Sequence, residues 1–241
     1  LIHKLFLKNT LKMTQKLTIL FDLDGTLVDT APDLMTAHNH VMNKFGYSSK
    51  SMDEIRNLVG KGAAVMIGRS LWGVAKKEMS KITDPKIKDE MIKEFLDYYG
   101  KNIVKDSKLI NGVYEFLTWA KKNNISMAVC TNKQEHLAVD LLKKIKIYDF
   151  FEYVAGRNTF EYYKPDPRHL TNTIEIMNGS IKKSLMIGDS ENDADAARSA
   201  GIPMILLENG YTDKKVEQIN HDYLIKDFVG IEKIINKFLD V

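Results

Sequence analysis

Apolar residues along this chain are spaced in two ways, and the two spacings occupy different stretches. Leu17-Thr18-Ile19-Leu20 is a short apolar run rich in β-formers that leads into Phe21-Asp22-Leu23-Asp24-Gly25, which predicts a buried strand meeting a turn. From Thr30 to about Ser107 the spacing is helical, with no convincing strand. Leu34, Ala37, Val41 and Phe45 recur on one helix face and stop before Gly46. Ser51 and Glu54 have the spacing of a capping box ahead of Ile55, Leu58 and Val59. Gly60-Lys61-Gly62 then opens a helix through Val65, Met66 and Leu71. Asp84-Pro85 supplies an N-cap and a first-turn proline for a long helix, its apolar face being Ile87, Met91, Phe95 and Tyr98 or Tyr99.

Beyond this helical segment the two spacings alternate. A helix over about 111–124 leads into the strand Ile125–Thr131, and a helix carrying Leu137, Leu141, Leu142 and Ile145 leads into Tyr153-Val154-Ala155. A helix from near Asp166-Pro167 to Asn178-Gly179 precedes the strand Leu185-Met186-Ile187. An alanine-rich helix ending at Gly201 precedes Met204–Leu207, and Ile231, Ile234, Ile235 and Phe238 close the chain helically. Strands alternating with helices predict a parallel sheet covered on both faces. The expected division is a core over 14–29 and 108–241, a helical bundle inserted over 30–107, and an extension outside the fold over 1–13.

Composition narrows the classes. The 241 residues suit one large domain or a domain with a sizeable insert, and 44% apolar with 28% charged residues is ordinary for a soluble globular protein. A net charge of +3, with lysines spread over many segments, gives nucleic-acid binding little support. No apolar stretch approaches the ~20 residues of a membrane-spanning helix. Residues 1–16 carry four lysines and no acid, but their apolar residues are too interrupted for a secretory signal core. The expectation is a cytoplasmic protein, either monomer or homodimer. The single cysteine, Cys130, excludes an intrachain disulfide and a cysteine metal site, and its apolar strand makes it a buried, inert thiol. The histidines form no metal constellation: His38 and His40 cannot share a helix face, and His136 and His169 begin helices. Trp72 and Trp119 have apolar neighbours at helical spacing and belong to the core or the bundle's interface.

Chemistry enters at the first strand's end. Side chains alternate along a strand, so Asp22 and Asp24 face one way and Leu23 the other. Two carboxylates this close repel unless something positive lies between them. Gly25 turns the chain at once and leaves both acids at the carboxyl end of the strand, where open α/β sheets bind ligands. Taken alone, this is equally well an acidic turn. Three later segments bring polar residues to strand ends: Thr131-Asn132-Lys133, Lys164-Pro165 and Gly188-Asp189-Ser190.

Asp22-x-Asp24-Gly25-Thr26, then Thr131-Asn132, then Lys164-Pro165, then Gly188-Asp189-x-x-x-Asp193 resemble, in order, the four motifs of the haloacid dehalogenase-like superfamily. The resemblance implies an α/β fold: a Rossmann-like parallel sheet core with an inserted α-helical cap of the C1 type. It implies that Asp22 is a nucleophile forming an aspartyl-phosphate and Asp24 a general acid and then base, its pKa raised by crowding carboxylates. It further implies an Mg²⁺ site from Asp22, the backbone carbonyl of Asp24 and Asp189, with Asp193 ordering a metal-bound water or the loop. Thr131 and the Asn132 amide would hold phosphate oxygens, and Lys164 would supply charge to phosphate and nucleophile. The dehalogenases themselves lack the second aspartate of the first motif, so Asp24 with Asp189 favours a Mg²⁺-dependent phosphatase.

Within the superfamily, Asp24–Leu34 and Arg56-Asn57-Leu58-Val59-Gly60-Lys61-Gly62 resemble phosphoglycolate phosphatases. That likeness implies a small phosphorylated metabolite, 2-phosphoglycolate, with Gly60, Lys61 and Gly62 receiving its carboxylate. The alternatives are a pyrophosphatase, a sugar- or nucleotide-phosphate phosphatase, a β-phosphoglucomutase-like isomerase, or a non-catalytic scaffold. Degenerate scaffolds typically lose an essential acid, and none is missing here.

Overall fold

The computed structural model describes residues 16–72, 85–212 and 214–239. The expected extension over 1–13, the cap at Asp84, and the side chains of Trp72 and Ile87 lie outside the described residues. The first strand, β1 (Thr18–Phe21), is followed by a two-residue strand, β2 (Val28–Asp29), and four helices. These are α1 (Ala31–Lys44), α2 (Met52–Arg56), α3 (Ala63–Trp72) and α4 (Pro85–Lys101). A second two-residue strand, β3 (Lys108–Leu109), leads to α5 (Val113–Lys122), β4 (Ser126–Cys130), α6 (Glu135–Lys144) and β5 (Tyr153–Ala155). Then come α7 (Arg168–Ile176), β6 (Ser184–Gly188), α8 (Glu191–Ala200), β7 (Met204–Leu207), β8 (Tyr223–Ile225) and α9 (Glu232–Leu239).

Six strands form a sheet in the order β5-β4-β1-β6-β7-β8, every pairing parallel. β1 is central: Phe21 lies beside Val129 on one flank and Ile187 on the other. The chain builds outward through β4 and β5, then returns to β6 on the opposite flank of β1. That reversal opens a crevice at the carboxyl ends of these strands, directly beyond Phe21. Both faces of the sheet are covered, so all four residues of β1 are buried. Ile19, Phe21, Met127, Val129, Leu185 and Ile187 pack into one core, and Leu20, Ala128, Cys130 and Met186 into the other.

α1–α4 form the helical cap, with α1 packed on α2 and α4, and α3 on α4. The chain leaves the core along β2 and returns along β3, and these two strands pair antiparallel, Val28 with Leu109. Asp33, buried in the first turn of α1, clasps the returning segment: its carboxylate accepts from the backbone amides of Lys105, Asp106 and Ser107 at 2.9–3.0 Å and from Ser107 Oγ at 2.6 Å. The Ser51–Glu54 capping box forms at α2. β8 and the β2–β3 pair are elements the sequence reading does not announce; β2 and β3, at two residues each, are too short to show a period.

Candidate active site

Asp22 is the first residue beyond β1, and its amide still donates to Ile187 O at 2.9 Å, so the sheet itself fixes the position of its carboxylate. Leu23 turns back into the core at 0% exposure while Asp22 and Asp24 face the crevice, as strand alternation requires. Lys164 Nζ lies 2.8 Å from Asp22 Oδ1 and donates to Asp193 Oδ1 at 2.5 Å; all three side chains are buried. Asp193 Oδ2 accepts from the Asp189 and Ser190 amides and from Ser190 Oγ, which ties it to the start of α8. Asp189 Oδ1 accepts from Thr26 Oγ1 at 2.8 Å and its Oδ2 from the Tyr211 amide at 2.6 Å. Gly25 has φ +85°, and a Cβ there would overlap Asp189 Oδ2. Glycine at this turn is what lets the third acid approach the first two.

Charge is unbalanced on this floor. Burial pushes the Asp22 carboxyl up to about 6; Lys164 opposes the shift, and Asp193 and Asp24 add to it. Asp189 is pushed well above the usual carboxylate range by burial, then by Asp22 and Asp193. Lys164 is itself disfavoured by burial, but Asp193 and Asp22 outweigh that and hold its ammonium charged. One lysine thus serves a cluster in which carboxylate oxygens of Asp22, Asp189 and Asp193 lie within 4.8 Å of one another. Hard oxygen donors at this spacing, with the Asp22 and Asp189 carboxyls both pushed upward by burial and by neighbouring carboxylates, fit a divalent cation.

Asp24 meets different neighbours. Its Oδ1 accepts from Thr30 Oγ1 at 2.7 Å, and Lys133 Nζ donates to Oδ1 at 2.7 Å and to Oδ2 at 3.0 Å. A lysine and a threonine hold this group, where the sequence suggested crowding by carboxylates. Lys133 is 8% exposed, and its Nζ also stands 4.5 Å above the ring of Tyr99 from α4. Thr131 is buried at the end of β4 and accepts the Lys133 amide at 3.1 Å. Asn132 donates to Lys164 O at 3.0 Å, while its buried Oδ1 has no partner among the described residues. Lys133, Tyr99 and Arg157 are site residues that sequence reasoning passed over. The signal for Lys133 was its place in the Thr131-Asn132-Lys133 strand end; Tyr99 was legible only as an apolar helix position.

The loop from Gly60 to Gly62 lies over the crevice. Gly60 and Gly62 have φ of +94° and +85°, which lets the chain bend flat against the core. Gly60 O accepts from the side-chain amides of Asn192 at 3.2 Å and Asn132 at 3.4 Å. Lys61 Nζ pairs with Glu191 Oε1 at 2.8 Å. Arg157, from the loop after β5, donates to Lys61 O at 3.4 Å and stacks 3.7 Å from the centre of the Tyr163 ring. Core and cap enclose a cavity of about 110 Å³, floored by Asp22, Asp24 and Thr131 and roofed by Val59, Met66, Phe95, Leu96 and Tyr99. Lys133 and Arg157 line it, as do Gly60, Gly62 and Ala63 at the start of α3.

Residues 19–207 match the family model of the haloacid dehalogenase-like hydrolases. The chain is 39% identical over 210 residues to a phosphoglycolate phosphatase of Mesorhizobium japonicum, covering 87% of this chain and 90% of that one. Identity to a phosphoglycolate phosphatase of Agrobacterium fabrum is also 39%, over 90% of this chain and 94% of that one. Among solved structures, a predicted phosphoglycolate phosphatase from Haemophilus somnus 129PT superposes with a TM-score of 0.83 at 31% identity, covering 92% of this chain and 99% of that one.

Proposed function

Since the chain belongs to the haloacid dehalogenase-like hydrolases and is a phosphoric monoester hydrolase, we propose that it hydrolyses 2-phosphoglycolate to glycolate and phosphate, with Mg²⁺, through an aspartyl-phosphate on Asp22. The observation that carries the chemistry is the placing of Asp22 at the cavity floor beside Lys164 and Asp189. The substrate is supported by relatives named for it at 39% identity along nearly the whole chain.

In this reading Asp22 attacks phosphorus and the ester oxygen departs with a proton from Asp24; Asp24 then takes a proton from the water that cleaves the acyl phosphate. Thr131 and the Asn132 amide hold the phosphoryl oxygens. Lys164 keeps Asp22 oriented and ionised, and Asp193 positions Lys164. Asp22, the Asp24 carbonyl and Asp189 would hold Mg²⁺, which neutralises phosphoryl charge when bound. The docked cap keeps bulk water from the acyl phosphate.

The test is phosphate release from a panel of small esters, with Mg²⁺ or with chelator. 2-Phosphoglycolate should have the highest kcat/KM, activity should vanish in chelator, and Asp22→Asn should abolish turnover. A preference for pyrophosphate, a nucleotide or a sugar phosphate would refute the substrate. Turnover by Asp22→Asn near that of the parent would refute the nucleophile.

A further inference from the structure

Lys61, Lys133 and Arg157 stand in or beside the cavity, and they are unequally committed. Lys61 is paired with Glu191 at 2.8 Å, and Glu191 also accepts from Thr212 Oγ1 at 2.8 Å. The bridge ties the cap loop to the first residue of α8, and Lys61 is not among the cavity-lining residues. Lys133 lines the cavity with its ammonium between Asp24 on the core side and the face of Tyr99 on the cap side. Arg157 lines it too and has no ion pair to a described residue; its contacts are one long bond to a carbonyl and an aromatic face. Gly62 leaves room for it, since a Cβ there would come to 3.4 Å from Arg157 Nη1 and 3.3 Å from Asn132 O.

We propose that Lys133 and Arg157, both on the core, receive the second anionic group of the substrate, while Lys61 of the cap loop serves to latch the cap. The inference rests on the carboxylate-bearing ester proposed above and names the residues that select it. Around these two cations the wall is apolar, formed by Leu34, Val59, Met66, Phe95 and Leu96. Charges meeting there are weakly screened, so a carboxylate reaching both cations binds far better than a neutral group of the same shape. Lys133 also touches Asp24, so a carboxylate drawn to it brings the ester oxygen of a two-carbon substrate alongside the proton donor. A cavity of about 110 Å³ is small beside the roughly 300–1,000 Å³ of pockets for drug-sized ligands, which suits a short acid. Tyr99 adds a buried hydroxyl without a partner among the described residues and holds Lys133 from the cap side, so the carboxylate site is complete only when the cap is docked.

The experiment compares kcat/KM for 2-phosphoglycolate with that for ethyl phosphate, which has the same chain length and no carboxylate. The pair is measured in the parent and in Arg157→Gln, Arg157→Lys, Lys133→Met and Lys61→Met, each checked for folding by its thermal melt. The ratio should fall roughly ten- to hundred-fold in Arg157→Gln, mostly through KM, as for loss of one charge-assisted hydrogen bond. Arg157→Lys should recover part of it. Lys133→Met should lower both activities, and that of the carboxylate substrate more. Lys61→Met should lower both in equal proportion. A parent without preference for 2-phosphoglycolate overturns the substrate of the preceding section. A parent with that preference, kept intact in Arg157→Gln and Lys133→Met, overturns the present inference. So does a preference lost only in Lys61→Met, which would return selection to the cap loop.

Discussion

At the scale of single residues, burial decides which titrating groups matter. His169 at the start of α7 has 0% exposure, and burial with the nearby charge of Lys164 pulls its pKa down to about 4. A histidine neutral in the fold and protonated when unfolded favours unfolding as pH falls. Its contribution is intact above about 6.5 and is lost progressively toward about 4, on the order of 3 kcal/mol in all. His169→Leu should therefore flatten the acid limb of the melting temperature over that range while leaving the melt at neutral pH similar. An unchanged acid limb would show that other groups set it. Cys130 is a buried free thiol that burial pushes up to about 12, the environment its apolar strand led one to expect.

At the scale of elements, the cap is fastened at its two linkers and at one loop. The β2–β3 pair and the Asp33 clasp hold the linkers, and Tyr211 ties them to the floor. Its hydroxyl bonds Asp29 and receives the Ala31 amide, its own amide binds Asp189, and Arg56 of α2 pairs with Asp29 at 2.9 Å. Closure over the site thus runs through the same residues that order the acids. The Lys61–Glu191 bridge is the loop's charged tie, and both side chains are largely shielded, at 23% and 10% exposure. A double-mutant cycle with Lys61→Met and Glu191→Gln should return a coupling of about 1 kcal/mol in stability. Additive effects would mean the bridge contributes nothing to docking. The helical nature of the cap was legible from spacing alone. Its docking was not: Gly60-Lys61-Gly62 reads from the sequence as an anion-receiving helix start with a plain turn as the alternative, and nothing in those residues announces the contacts with Glu191, Asn132 and Asn192 across the crevice.

At the scale of the whole molecule, the fold gathers more negative charge at one point than its own lysines neutralise. The Asp22 carboxyl, held at about 6 without a cation, and Asp189, held higher, bind protons that the unfolded chain would release. Stability from those protons is present at acid pH and is lost as pH rises through about 6, where a divalent cation can replace them. Saturating Mg²⁺ should raise the melting temperature more at about pH 7.5 than at about pH 5, and Asp189→Asn should reduce that difference. Equal shifts at both pH values would place the cation elsewhere. The sequence by itself determined the alternation of strands and helices, the helical insert, and the strand ends at which Asp22, Thr131 and Asp189 stand. Those features are local: periodicity and turn chemistry act over a few residues, and ordered motifs survive as text. Only the tertiary structure decided that Lys133 pairs with Asp24 across 109 positions, that Lys61 is spent on Glu191, and that Arg157 stands at the cavity mouth. Such pairings have no period, since they arise where the sheet's central crevice and the docked cap bring distant segments together.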